Sequence, residues 1–219
     1  MVKEQILALA ALISITILSA SSSATPLLSP IPDYLLVINQ KEKILAEHSL
    51  DLTIREVSPE ANQGFVDNIL LALHYLQRGV KLPVDWEAIR QPFTVSFTLQ
   101  PKEIFAFHGN VLSDFADPAV TMNSGFFTYE GYKSVWGLGG NGVCHLASLM
   151  NWTASEAGME VVAPNGHNFA PIPGVSKEYG TSIRSQSQNQ NLYIINNLEN
   201  SVSFVFTANG KEVSLQIIE

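Results

Sequence analysis

One cysteine, Cys144, stands among 219 residues, so no intramolecular disulfide can form and the fold must rest on buried apolar side chains. Basic residues are few: 12 Lys and Arg face 20 Asp and Glu, for a net charge of −8. They form no cluster, which argues against nucleic acid or an anionic membrane surface as a partner. No internal repeat is present. His108, His145, His167 and Cys144 show no metal-ligand spacing, so no metal and no cofactor is expected. The most apolar stretch, residues 6–18, is shorter than the roughly 20 residues of a spanning helix.

That stretch follows Lys3 and precedes the small residues Ser22, Ser23 and Ala24, the order of a secretory signal peptide. Residues 1–24 are therefore expected to be removed before Thr25. The mature chain would lie outside the cytoplasm, in the periplasm, in the cell wall or secreted, with no stable membrane insertion. Glu4 cancels the charge of Lys3, which leaves a retained membrane anchor as the alternative. Residues 25–32 hold Pro26, Pro30 and Pro32 and are expected to be a linker. Residues 33–219 have the length of one domain.

Periodicity predicts an α+β fold. Residues 34–38 and 43–46 are two apolar runs separated by Asn39, Gln40, Lys41 and Glu42, and are expected to form a hairpin. Ser58, Pro59 and Glu60 open a helix, on which Phe65, Ile69, Leu73 and Leu76 mark one face before Gly79 and predict packing on the surface of the fold. The run from Phe93 to Leu99 alternates apolar and hydroxylated residues, as a half-buried strand does, and Pro101 ends it. Leu138-Gly139-Gly140-Asn141-Gly142 reads as a flexible turn feeding a helix from Cys144 to Ala157, stopped by Gly158. Apolar residues around most of that helix predict a central position, packed on a mainly antiparallel sheet. Strands are expected over 191–195, 202–206 and 213–217, the last two joined by Asn209-Gly210. The sheet is expected to consist largely of these C-terminal strands and the Phe93 strand.

A cysteine in the first turn of a helix meets unpaired backbone N–H groups and the positive end of the helix dipole. Both favour the thiolate, so the Cys144 pKa is expected to fall. Gly140, Asn141 and Gly142 would let a carbonyl approach the sulfur and would place N–H groups on its oxyanion. His167 is the candidate base, with Glu178 to orient it and Asn168 as a rival for that task. This order of Cys, His and acid resembles papain-like and transglutaminase-like enzymes.

A longer resemblance is to the VanW-like family. Gly139-Gly140-Asn141-Gly142-Val143-Cys144 is similar to its glycine-rich turn, and His167 with Pro171, Pro173 and Gly174 to the stretch that follows. Asn68-Ile69-Leu70-Leu71-Ala72 resembles a family helix, and Pro101-Lys102-Glu103-Ile104-Phe105-Ala106-Phe107 resembles an upstream segment. Asn191-Leu192-Tyr193-Ile194-Ile195-Asn196-Asn197 resembles a late strand, so the likeness runs from about His48 to Ile218. His145 stands where the family has Gln, and is left as the side chain able to donate to an oxyanion. The resemblance implies a bacterial envelope setting and glycopeptide resistance without a defined reaction.

Two functions are compatible with these residues. One is a cysteine hydrolase or acyl transferase acting on peptidoglycan-type peptides. The other is a non-catalytic envelope module that binds a cell-wall peptide or glycan and uses Cys144 only as a small buried side chain. Trp136, Phe126, Phe127, Tyr129 and Tyr132 form either a stacking wall for a ligand or part of the core. The leader makes the first test: mass spectrometry of the exported protein should find Thr25, or a residue within a few positions, at the N-terminus. An intact Met1 in a membrane fraction would establish an anchored protein instead.

Overall fold

Alternation of apolar with polar residues builds the first sheet. β2 (Phe93–Leu99), β9 (Val202–Ala208) and β10 (Glu212–Ile218) each bury every second side chain, and the apolar set turns to one face. In this computed structural model, which describes residues 42–54, 58–77 and 79–219, these three and a fourth antiparallel strand, β1 (Ile44–Asp51), run in the order β1-β10-β9-β2. The Asn209-Gly210 turn joins β9 to β10, with Gly210 at φ +82°. Asn209 Oδ1 accepts from the N–H groups of Lys211 and Glu212, each at 3.0 Å. On the buried face Phe97 stacks on Phe204 with ring centres 4.6 Å apart.

The N-terminal expectations meet the structure at β1 (Ile44–Asp51). This strand pairs with β10, Leu50 opposite Val213. The proposed partner run at 34–38, the leader and the linker lie outside the described residues.

A second sheet corrects the expected single one. β3 (Ile104–Ala106), β4 (Val120–Thr121), β7 (Glu160–Val162) and β8 (Tyr193–Ile195) align in the order β4-β3-β8-β7, with β3 and β4 parallel. The 191–195 run thus leaves the other C-terminal strands. Asn196 makes the corner: its buried amide donates to the carbonyls of Leu99 and Asn200, each at 2.9 Å. The chain between β8 and β9 therefore turns without stranding those carbonyls.

Ser58 Oγ caps α1 (Pro59–Leu76) by accepting from Ala61 N at 3.1 Å. The helix does not lie on the surface as expected. Ile69 to Leu73 are all buried, because five consecutive apolar residues sweep the full circumference at 3.6 residues per turn. A short helix α2 (Trp86–Ile89) leads into β2. The sheet hairpin β5 (Ser134–Val135) and β6 (Leu138–Gly139) leads into α3 (Val143–Glu156), which ends at Ala157 before Gly158 at φ +79°. α3 touches α1, β1, β10 and β7. Among the described residues no helix is long and apolar enough to cross a membrane.

Two adjacent polar residues sit inside α1. Asp67 is fully buried and receives two hydrogen bonds from Arg90, each 2.8 Å, one from Gln63 at 2.8 Å, and the ammonium of Lys133. Burial acts to raise its pKa, but the bonds from Arg90, Lys133 and Gln63 outweigh it and hold the carboxyl below its ordinary value of 3.8. Trp86 carries both cations, with Lys133 Nζ 4.4 Å and the Arg90 guanidinium 5.8 Å from its ring centre. Asn68 accepts from Lys133 N at 2.7 Å and donates to the carbonyls of Lys133 and Asn141 at 3.0 and 2.9 Å.

The Asp67→Ala protein should lose about 3 kcal/mol of stability at neutral pH, since two cations lose the anion they converge on; the denaturant midpoint reads this. Acid should act earlier than Asp67 does. Burial pushes the imidazoles of His74 and His108 below their ordinary 6.5, so the unfolded chain binds protons that the folded chain refuses. Stability is therefore full at about pH 7 and declines as pH falls below 6.5. The Asp67 contribution is lost only below 3.8. Equal midpoints at about pH 7 and about pH 5 would refute the histidine part of this profile.

Candidate functional site

The turn before α3 is pinned in place, contrary to the flexibility its glycines led us to expect. Gly142 caps the helix at φ +103°, and a Cβ there would lie 2.5 Å from the Phe65 carbonyl oxygen of α1. Only glycine permits both that backbone conformation and that approach of the two helices. Gly140, at φ +70°, lies less tightly against Phe126, whose carbonyl oxygen a Cβ would meet at 3.1 Å. Asn141, the departure from an all-glycine turn, accepts from Val135 N at 3.3 Å through its side chain while its carbonyl receives Asn68. The turn is thereby stitched to α1 and to the β5–β6 hairpin.

Cys144 is the second residue of α3, and its sulfur faces the backbone of Ile183. Ile183 N–H donates to Sγ at 3.3 Å, and the thiol lies 3.8 Å from the Ile183 carbonyl oxygen. Burial pushes the thiol pKa up, and the N–H groups of Ile183 and of Cys144 itself offset this only in part. The expected fall is thus reversed. The helix start favours a thiolate, but removal from water costs it more. The Val143 N–H, a candidate oxyanion donor, is already given to the Gly140 carbonyl at 3.2 Å.

Three residues along one face of α3 explain why Ile183 is there. Cys144, Ser148 and Asn151 recur at helical spacing, and all three meet the segment 179–183. Ser148 Oγ donates to the Cys144 carbonyl at 2.7 Å and accepts from Thr181 N at 2.8 Å. The Asn151 amide donates to Tyr179 O and Thr181 Oγ1, both at 3.1 Å. A short antiparallel pairing, Gly166 with Thr181, then carries His167 to this segment, with His167 N bonded to Gly180 O at 2.9 Å. Sequence reasoning missed Ser148 and Asn151; the signal was a polar stripe on an otherwise apolar helix.

His167 is buried, and its Nδ1 donates to the Ala170 carbonyl at 2.8 Å. That bond places a proton on Nδ1 and leaves Nε2 as the nitrogen free to accept in the neutral ring. No hydrogen bond joins His167 to Cys144. The expected orienting acid is engaged elsewhere: Glu178 lies in an exposed helical turn and accepts from Ser176 Oγ at 3.1 Å. Exposed Asn168 has its amide beside Gly166, whose Cβ would lie 3.1 Å away. His145 is buried, with its ring 5.2 Å from Phe65 and 6.1 Å, edge to face, from His167.

A cleft of about 280 Å³ opens beside His167, lined by Asn168, Phe169, Pro171, Ile172 and Lys177 among others. Cys144 is not part of its wall. Phe169, 75 % exposed, packs its ring 3.9 Å from His167. The proposed aromatic wall divides: Phe126 and Tyr132 belong to the core, whereas Tyr129 and Trp136 are exposed. Among the described residues no three His, Cys, Asp or Glu side chains are placed to hold a metal ion.

A family model described as VanW like protein matches residues 95–218. Comparison with curated proteins and with solved structures gave no match. The matched segment begins inside β2, ends at the last residue of β10 and contains the pinned turn, α3, His167 and the whole second sheet; the Asn68–Ala72 likeness falls outside it. The chain belongs to the VanW-like family, named for an accessory protein of vancomycin-resistance clusters.

Proposed function

We propose that this protein is an extracytoplasmic envelope module that binds a cell-wall peptide in the His167 cleft, with Cys144 as a structural clamp. The observation that carries this reading is the environment of the sulfur. It is partly buried, bonded by the Ile183 backbone N–H, raised in pKa and outside the cleft wall. The cleft itself combines an apolar side, Phe169, Pro171 and Ile172, with the ammonium of Lys177. A peptide that ends in a carboxylate matches both features, because the cation recognises the terminus and the apolar side covers the neighbouring side chain.

A second reading keeps the cysteine hydrolase or acyl transferase, with Cys144 as nucleophile and His167 as base. Glu178 or Asn168 would orient the base, and Gly140, Asn141, Gly142 and His145 would line the oxyanion site. One observation favours it: the Ile183 N–H aimed at Sγ at 3.3 Å is a donor that would hold a thiolate. Catalysis on this reading requires the 181–183 segment to move off the sulfur.

Alkylation by iodoacetamide separates the two. A clamp should resist labelling in the folded protein, with any reaction rising only above the free-thiol midpoint of about 8.5. A midpoint below that value, moved upward by His167→Ala, would establish the nucleophile and overturn the clamp. Binding is tested with a soluble disaccharide-pentapeptide. Phe169→Ala should weaken it about tenfold, or about 1.4 kcal/mol, while Cys144→Ala leaves it unchanged. Equal affinity of the Phe169→Ala and native proteins would remove the His167 cleft as the binding site.

A further inference from the structure

A second cleft, of about 420 Å³ and bordered by Ser185, is within the size range of small-ligand sites. We infer that it binds a neutral saccharide, through the hydrogen-bond acceptors of Asn110 and Ser185 and the ring of Phe127. The inference is independent of the His167 cleft.

The chemistry of the wall selects the ligand. Most of its side-chain donors are already directed into the protein. Asn110 Nδ2 donates to the Ser185 carbonyl at 3.1 Å, and Ser185 Oγ to the Gly125 carbonyl at 2.7 Å. Asn123 Nδ2 donates to the last carbonyls of α1, Tyr75 and Leu76, at 3.4 Å. Asn110 Oδ1 and the Ser185 hydroxyl oxygen keep lone pairs for a ligand. A site with its donors engaged and its acceptors open calls for a molecule rich in O–H groups.

Charge narrows the choice further. No lysine or arginine lines this cleft, so an anion finds no counter-charge. The one carboxylate, Glu130, is turned onto its own loop: it accepts from Gly125 N at 3.0 Å, Phe127 N at 2.8 Å and Ser124 Oγ at 3.2 Å. A cation therefore meets an acid already surrounded by donors. Phe127 supplies the remaining element, a flat apolar wall. Its ring is backed by Tyr129, with centres 5.1 Å apart and planes 15° from parallel, and aromatic faces of this kind pack on apolar ligand surface. The apolar face of a sugar ring is such a surface.

The loop is set before any ligand arrives. Asn123 and Phe126 lie at φ +55° and +63°, in the left-handed region that side-chain-bearing residues adopt only under constraint. The Glu130 and Asn123 bonds hold that conformation. At the back of the cleft His108 donates from Nε2 to Gln190 O at 2.9 Å, and buried Asn191 bridges the carbonyls of His108 and Asn110. A rigid wall of open acceptors loses little order on binding.

Saturation-transfer NMR on the whole mature protein tests this, with cellobiose and diacetylchitobiose as neutral probes and glucuronic acid as the charged one. At least one neutral disaccharide should bind with a dissociation constant of about 1 mM, and glucuronic acid at least about fivefold more weakly. Phe127→Ala should abolish the transfer and Asn110→Ala should weaken binding about fivefold; Phe169→Ala, in the other cleft, should leave it unchanged. If Phe127→Ala fails to fold, exposed Asn110 decides alone. Absence of transfer from both neutral probes would overturn the inference, as would folded Phe127→Ala and Asn110→Ala proteins that bind like the native one. Loss of transfer in Phe169→Ala instead would place the sugar in the His167 cleft and equally overturn it.

Discussion

The arrangement depends on one constraint: the polar face of α3 cannot be left dry. Cys144, Ser148 and Asn151 point from an apolar helix into the interior, and each unsatisfied group there would cost about 1–3 kcal/mol. The backbone from Tyr179 to Ile183 supplies their partners. In satisfying the helix it becomes fixed itself, and through Gly180 it fixes the turn that carries His167. The same contacts that position His167 therefore close over the sulfur. This is why the element that would make a nucleophile at a helix start here makes a partly buried thiol held by backbone.

Buried amides do comparable work at the corners. Asn68 ties α1 to the turn before α3, Asn191 ties the end of β3 to β8, and Asn196 turns the chain from the second sheet into the first. An asparagine offers both a donor pair and an acceptor at fixed geometry, so one side chain satisfies several backbone groups where regular pairing stops. With a single cysteine and no disulfide to staple its loops, the chain uses these amides and the Asp67 ion cluster as its internal ties.

The segment from His167 to Asn191 consequently borders two clefts of different character. The one beside His167 is part apolar and carries the ammonium of Lys177; the one bounded by Ser185 is polar and has no cation on its wall. Two such surfaces on one connected strip support the binding role proposed for it.

Much of the architecture was legible along the chain because it depends on local periodicity. Alternation in Phe93–Leu99 and in the two C-terminal strands, the Asn209-Gly210 turn, the Ser58-Pro59 helix start and the glycine turn into α3 are each set within a few residues of one another. So too was the family, through its turn and the His167 stretch. Depth and partnership were decided elsewhere. That 191–195 joins a second sheet follows from contacts between residues far apart in sequence, and that Glu178 bonds Ser176 follows from competition among partners. The clearest case is Cys144. Its place at a helix start is local, and on that basis its thiol should ionise readily. Its pKa is decided by what covers it, and the covering backbone of Ile183 lies 39 residues further on, brought there only when the polar face of α3 finds its partners.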